Sequence, residues 1–254
     1  MTRIRVIPIL LVNGNGLYKT VKFKDPKYVG DPINAIKIFN DKEVDELCVL
    51  DIKATREKKD PNYRLIADFA SECFMPVCYG GGINTLEIAK RIFGLGIEKI
   101  SLNAAAIHSP KLIGDIAAIY GSQAVVVSID IKKNLWGKNL VYTHNGQTAS
   151  KYTPEEWAKL AEQEGAGELI INSIERDGTM KGYDNELIHK ISSTVKIPIV
   201  ACGGAGSLKH FKEAVINGAS AVSAGSMFVF HGPHRAVLIN FPSQNELKET
   251  FLNQ

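Results

Sequence analysis

Cysteine is scarce in this sequence. Of 254 residues only four are cysteine, Cys48, Cys73, Cys78 and Cys202, and no two fall in a CxxC spacing. Neither a disulfide framework nor a thiolate metal site is expected, so the four are read as reduced core thiols in a reducing compartment. Excess charge is missing too: the formal net charge is +3, with no block of five or more like charges. That speaks against a nucleic-acid surface and suits a small anionic ligand equally well. No apolar run approaches the roughly 18 residues that cross a bilayer, and no signal-peptide core precedes the first strand. No membrane role and a cytoplasmic location are expected. A phosphate-binding GxxxxGK[ST] loop is also absent, so any ATP-dependent activation belongs to another chain. No metal and no cofactor are expected.

What the chain has is a rhythm. Hydrophobic residues make up 45% of it, enough for a substantial core. They fall in strand-length runs: RVIPILLV from Arg5, ELCVLDI from Glu46, MPVCYG from Met75, EKISLN from Glu98, QAVVVSID from Gln123, ELIINSI from Glu168, IPIVACGG from Ile197 and SAVSAG from Ser220. Helical patterns alternate with them at about 32–43, 61–73, 85–95, 109–120, 154–165, 184–195, 207–218 and 244–253. Eight βα units with continuous apolar strands predict an α/β fold, a (β/α)8 TIM barrel occupying 1–254 as one domain. A doubly wound open sheet is the alternative.

The halves, about 1–120 and 121–254, resemble each other. MPVCYGGGINTLEIAKRIFGLGIEKISLNAAAI aligns with IPIVACGGAGSLKHFKEAVINGASAVSAGSMFV at a shift of about 123 residues. Strands three and seven then stand opposite each other in a pseudo-twofold barrel, each ending in a glycine cluster.

Gly80, Gly81 and Gly82 end one of these strands and Gly203, Gly204 and Gly206 the other. Without a Cβ, backbone N–H groups approach a phosphate closely, and the helix starting near Asn84 adds the positive end of its dipole. Asn103 after strand four, and Gly225 and Ser226 after strand eight, complete two candidate phosphate sites facing each other. The plainer reading is that the glycines only make tight strand-to-helix turns.

GSQAVVVSID, GAGELIINSIERDGTMKGYD and ACGGAG closely resemble the cyclase subunit of imidazole glycerol phosphate synthase, the HisF type, over residues 4 to about 230. The resemblance implies a lyase or amidotransferase-type synthase subunit. It implies a HisH-like glutaminase partner that releases ammonia, and passage of that ammonia along the barrel axis to a phosphorylated small-molecule substrate in histidine biosynthesis. Asp130 matches the family's proton-shuttling aspartate, and a carboxylate beside apolar VVVSI is expected to have a raised pKa; a loop-capping role is the alternative. Lys19, in the long loop after strand one, matches a lysine that closes over phosphate, or is a solvated loop charge. Asp51, Asp177 and Gly178 match positions lining the same mouth. Arg5, Glu46, Lys99 and Glu168, each at the start of a strand, match a salt-bridged ring guarding the ammonia entrance; charged residues at a barrel bottom also serve stability alone. Glu98 matches an acidic residue facing the glutaminase.

Two positions depart from the pattern. Where the family carries a second catalytic aspartate, this chain has Leu11, which alternation along the strand sends inward with Arg5, Ile7, Ile9 and Asn13. Ala104 stands where a phosphate-binding hydroxyl is expected, and the tail MFVFHGPHRAVLINFPSQ also differs. A conserved floor under a changed mouth resembles the cyclase-like barrels of surface-polysaccharide (lipopolysaccharide) systems, which work with a separate ATP-using sugar amidotransferase. On that resemblance the expected activity is ammonia delivery for sugar amidination. The alternatives are a histidine-pathway cyclase, with Asp51 the best substitute acid, and a non-catalytic scaffold that activates a glutaminase.

Overall fold

The computed structural model describes residues 3–232 and 234–252. Eight parallel strands form a closed ring: β1 (Arg5–Asn13), β2 (Leu47–Asp51), β3 (Val77–Gly80), β4 (Lys99–Leu102), β5 (Val125–Lys133), β6 (Glu168–Ser173), β7 (Ile199–Cys202) and β8 (Ala221–Ala224). Each strand pairs with its successor, and β8 pairs with β1 through Arg5↔Ala221 to Pro8↔Ala224. That last pairing excludes the open sheet. Strands β3 and β7 lie four places apart in a ring of eight, so their glycine ends face each other across the mouth.

Eight helices cover the ring: α1 (Pro32–Asp41), α2 (Tyr63–Glu72), α3 (Leu86–Phe93), α4 (Lys111–Tyr120), α5 (Pro154–Gln163), α6 (Asn185–Ser192), α7 (Leu208–Ile216) and α8 (Gln244–Leu252). Position 253 of the helix expected at 244–253 lies outside the described residues. Their starts follow from capping chemistry. Asp31 and Thr153 each precede a proline at the first helical position, and Thr153 with Glu156 forms a reciprocal capping box. The helix expected from near Asn84 begins at Leu86, because the Thr85 hydroxyl accepts the Ile88 N–H at 3.2 Å and fixes the boundary.

Two segments differ from expectation. The long loop after strand one is a β-hairpin, Gly16–Val21 with Lys24–Gly30, whose first strand pairs antiparallel with the end of β1. After β5 the chain forms another hairpin, in which Asn139–Thr143 returns along β5. Short helices at Ala54–Glu57, Ala104–His108 and Ser226–Val229 follow β2, β4 and β8, and a small arch pairs Phe230–His231 with Ala236–Val237.

Strand alternation divides the core in two. Outward residues such as Leu169 and Ile171 pack under the helices, while Ile7, Ile9, Cys48, Cys78, Val126, Ile170, Val200 and Ala221 fill the interior of the ring. Both faces are dry, which is why the strands read as unbroken apolar runs. In the outer layer Phe211 is fully buried between Tyr183 and Phe228; truncating such a side chain to Ala costs about 3–5 kcal/mol. Among the described residues no helix is long and apolar enough to cross a membrane.

Candidate functional site

At the floor of the barrel, Arg5, Lys99 and Glu168 are the first residues of their strands and Glu46 directly precedes β2. Their side chains form a closed cycle. Arg5 Nη1 meets Glu46 at 2.5 Å and Arg5 Nη2 bonds Glu168, while Lys99 Nζ lies 2.9 Å from Glu46 and 3.0 Å from Glu168. Burial alone lowers the pKa of both cations. The hydrogen bonds and charges of the two glutamates outweigh it, so Arg5 and Lys99 are held above their ordinary values. Deleting one member of such a buried cycle costs about 3–5 kcal/mol, because a charge is left without its counterion. Beside the cycle, Glu98 is exposed and one carboxylate oxygen accepts the Val77 N–H at 2.8 Å.

Above the floor the bore is apolar up to the level of Ile9 and Ile170, with the free thiols of Cys48 and Cys78 in register on adjacent strands. Beyond it opens a mouth cavity of about 230 Å3 lined by Asp130, Lys19, Asp51, Asn103, Asp177 and both glycine clusters. Leu11 also faces this cavity, as alternation along β1 requires, and is half-buried.

Asp130 stands in the last stretch of β5, and both of its oxygens are held by amides. Asn103 Nδ2 donates to Oδ2 and Asn172 Nδ2 to Oδ1, each at 3.0 Å. Burial pushes the carboxyl up to about 7; the Asn172 hydrogen bond pulls downward and the Asp177 charge adds to the rise. Burial likewise brings the Lys19 ammonium down to about 8, against the attraction of Asp177. Asp177 itself is raised by burial, opposed by Lys19, the Thr20 hydroxyl and the Phe23 N–H.

Three side chains assigned from sequence have different local jobs. Lys19 is no solvated loop charge: it is buried under the first hairpin with its ammonium on the Ile9 carbonyl. Any residue but glycine at Gly225 would place a Cβ 2.4 Å from its Nζ. Asp51 caps the helix Ala54–Glu57, accepting the N–H groups of Lys53 and Ala54 at 2.8 and 3.0 Å, which commits one of its oxygens to a turn. The Asn103 side chain is likewise taken up by Asp130 and the Ser128 carbonyl.

The glycine clusters carry a steric requirement of their own. Gly81 has φ +118°, and a Cβ there would lie 2.6 Å from the Asp51 carbonyl; Gly204 has φ +114° and would meet the Gly182 carbonyl at 2.2 Å. The tight-turn reading therefore accounts for these residues with or without an anion. Gly82 N–H donates to Thr55 Oγ1 and Gly206 N–H to His210 Nδ1, both at 3.1 Å. The N–H groups of Gly203, Gly204 and Gly225 have no acceptor among the described residues. Gly178, at φ +70°, lets the chain touch the Thr20 carbonyl, and Ser226 is buried at the start of its short helix.

Sequence reading passed over three mouth residues. Asn172 looks inert alone, yet it shares the inward face of β6 with Glu168 and Ile170, a period-two signal that was available. His144 and Asn145 come from the turn after Asn139–Thr143, both in left-handed conformation, and line the mouth. Asn145 Nδ2 donates to the Ile52 carbonyl at 2.7 Å. Its neighbour Gly146 has Phe23 of the first hairpin 3.5 Å from where a Cβ would stand, so the two hairpins meet over the cavity. At about 230 Å3 the mouth lies below the volume of ordinary ligand pockets, of about 300–1,000 Å3, and it stays open to solvent.

The sequence pattern of the family described as "Histidine biosynthesis protein" matches residues 5–234. The chain belongs to that family. Within it the relatives are of the HisF type. Two named "Putative imidazole glycerol phosphate synthase subunit" are hisF2 of Pseudomonas aeruginosa, 57% identical over 97% of this chain and 99% of its own, and HisF of Leptospira borgpetersenii, 51% identical over 99% of this chain and 100% of its own. "Imidazole glycerol phosphate synthase subunit HisF" of Chlorobium phaeobacteroides is 42% identical over 89% of this chain and 90% of its own. None of these names mentions a sugar, so they favour the cyclase alternative over the amidination reading expected from sequence.

Proposed function

We propose that this HisF-type chain is the ammonia-accepting synthase subunit of a glutamine-dependent complex, with a glutaminase docked on the charged floor. The observation that carries this reading is an alignment: a closed ring of four charges, a dry bore and a half-buried carboxyl held by two amides lie in sequence from floor to mouth. An apolar bore passes neutral ammonia and rejects ammonium, whose charge loses its hydration there. In the cycle, Lys99 holds two contacts on a flexible stem, so its swing opens the floor with the fewest bonds broken.

At the mouth, Asp130 divides between its two protonation states near neutrality, which suits taking a proton from the adding nitrogen and returning it to a leaving group. The free N–H groups of Gly203, Gly204 and Gly225, with Lys19 above them, hold phosphate on the β7–β8 side. The acceptor implied by the relatives' names is that of imidazole glycerol phosphate synthase, and ring closure needs proton transfer at two points. With Leu11 unable to take part and one oxygen of Asp51 committed to a turn, Asp177, whose pKa is raised, and His144 on the roof are the groups that can serve as the second carrier.

A second reading rests on that same Leu11, together with Ala104: a mouth reduced to one strand-end acid delivers ammonia for amidination of a phosphorylated or nucleotide-linked sugar, alongside a separate ATP-using amidotransferase. Feeding the isolated chain ammonium salts and the bisphosphorylated ribonucleotide separates the two. Turnover to imidazole glycerol phosphate, reduced in His144→Ala, supports the cyclase reading. No turnover by a folded chain removes it and leaves the second.

A further inference from the structure

Between the first hairpin and the arch at Phe230–Val237 lies a second cavity, about 170 Å3, walled by Lys19, Thr20, Asp25, Lys27, Phe230 and Arg235. Its cations are arranged against their own repulsion. Lys19 and Lys27 are direct partners across the hairpin, where like charges destabilise a sheet. Lys27 Nζ sits 5.7 Å and the Arg235 guanidinium 4.8 Å from the centroid of one ring, Phe230, which is buried. One Arg235 nitrogen donates to the Gly178 carbonyl at 3.0 Å, which aims the guanidinium without neutralising it. Among the described residues no carboxylate lies within ion-pair distance of Lys19, Lys27 or Arg235, and Asp25 is the one acid in the wall.

The backbone around the cavity is strained as well. Lys22, Phe23, Asp25 and Arg235 all have φ between 49° and 61°, a region that non-glycine residues occupy at a cost and that clusters at ligand sites. Two of the four, Asp25 and Arg235, line the cavity itself, and Lys22 and Phe23 turn the hairpin beside it.

We infer that this cavity is a phosphate subsite, gripped by Lys27 and Arg235 with Lys19 at its base. Lys27 and Arg235 outweigh the one carboxylate in the wall, and Lys19, partly answered by Asp177, adds to a positive excess that suits the oxygens of a phosphate. A guanidinium fork adds paired donors suited to phosphate oxygens. Because Lys19 and Thr20 wall both cavities, the phosphate belongs either to the far end of a ligand seated in the mouth or to a separate phosphorylated compound. The subsite does not depend on which acceptor the mouth takes.

The test is site-resolved arginine labelling of the full chain with phenylglyoxal, read by mass spectrometry, with exposed Arg64 as internal reference. Inorganic phosphate is expected to protect Arg235 saturably and to leave Arg64 unchanged. In Lys27→Met, an exposed position whose change leaves the fold intact, the half-protecting concentration is expected to rise about tenfold. A bisphosphorylated sugar that protects at about tenfold lower concentration than inorganic phosphate identifies one ligand bridging mouth and subsite; equal concentrations identify an independent phosphate site. Arg235 labelled at the same rate with and without phosphate, or protected equally in Lys27→Met, overturns the assignment. The readout needs neither glutaminase nor turnover, so its failure stands apart from failure of the synthase reading.

Discussion

At the floor of the barrel every buried charge has a partner: Arg5, Glu46, Lys99 and Glu168 close a cycle of ion pairs. At the mouth, Lys19 is buried and Asp130 and Asp177 are half-buried, with amides, a hydroxyl and a carbonyl for neighbours, and no ion pair joins them among the described residues. The same residue types therefore behave oppositely. Mutual pairing pushes Arg5 and Lys99 further into their charged forms, whereas unpaired burial brings Asp130 to about 7 and Lys19 to about 8. Groups that hold their charge suit a gate, and groups that titrate near neutrality suit proton transfer and anion release.

The widest separation between the two ends is expected from Asp130→Asn. Ammonium-fed turnover should fall about 10²–10⁴-fold with circular dichroism unchanged. An unaltered rate would place the chemistry off this chain and favour an activating scaffold. At the floor, Glu168→Ala should lower stability by about 3–5 kcal/mol in a urea titration, since it leaves Arg5 and Lys99 sharing the single carboxylate of Glu46. A loss below about 1 kcal/mol would mean the cycle is no stronger than a surface pair.

A smaller effect sharpens the contrast through pH. The Asp130 pKa in the folded chain lies above its ordinary value of 3.8, so the native state binds the extra proton between those two values. Stability contributed at low pH is then lost as pH rises from about 4 to about 7, by up to about 4 kcal/mol, and Asp130→Asn should flatten that slope. Turnover should rise through the same pH as the base form appears. Affinity for phosphate should weaken as pH passes about 8 and Lys19 loses its proton. A melting profile of Asp130→Asn parallel to the parent across this window would show the carboxyl to be ordinary.

The sequence made the floor more legible than the mouth. Strand starts are marked by the switch from polar to apolar, so the eight apolar runs announced the barrel and put Arg5, Glu46, Lys99 and Glu168 at its floor, while their pairing into a ring came from the family resemblance. The mouth is made by excursions that lack such marks. Lys22, Phe23 and Asp25 turn the first hairpin in left-handed conformation without a glycine or asparagine, so GLYKTVKFKDPKYVG read as a loop. Pro26 inside its second strand weakened the signal further, as proline does except on sheet edges. The second excursion did carry one readable mark, the Asn145-Gly146 pair, which turns the chain from Asn139–Thr143 back to the short strand Thr148–Ala149. Alternation could place Asn172 on the inward face of β6, but its role showed only once Asp130 stood beside it, since an amide carries no charge pattern of its own.

Ala221 stands in register with Arg5 just inside the floor and is fully buried in the bore. In the complex reconstituted with its glutaminase, product formation from glutamine and from ammonium salts should be measured side by side for Ala221→Leu. With ammonia travelling the bore, the substitution should abolish glutamine-fed synthesis while ammonium-fed synthesis, supplied from the mouth, continues. Equal retention or equal loss of both would contradict a route along the barrel axis.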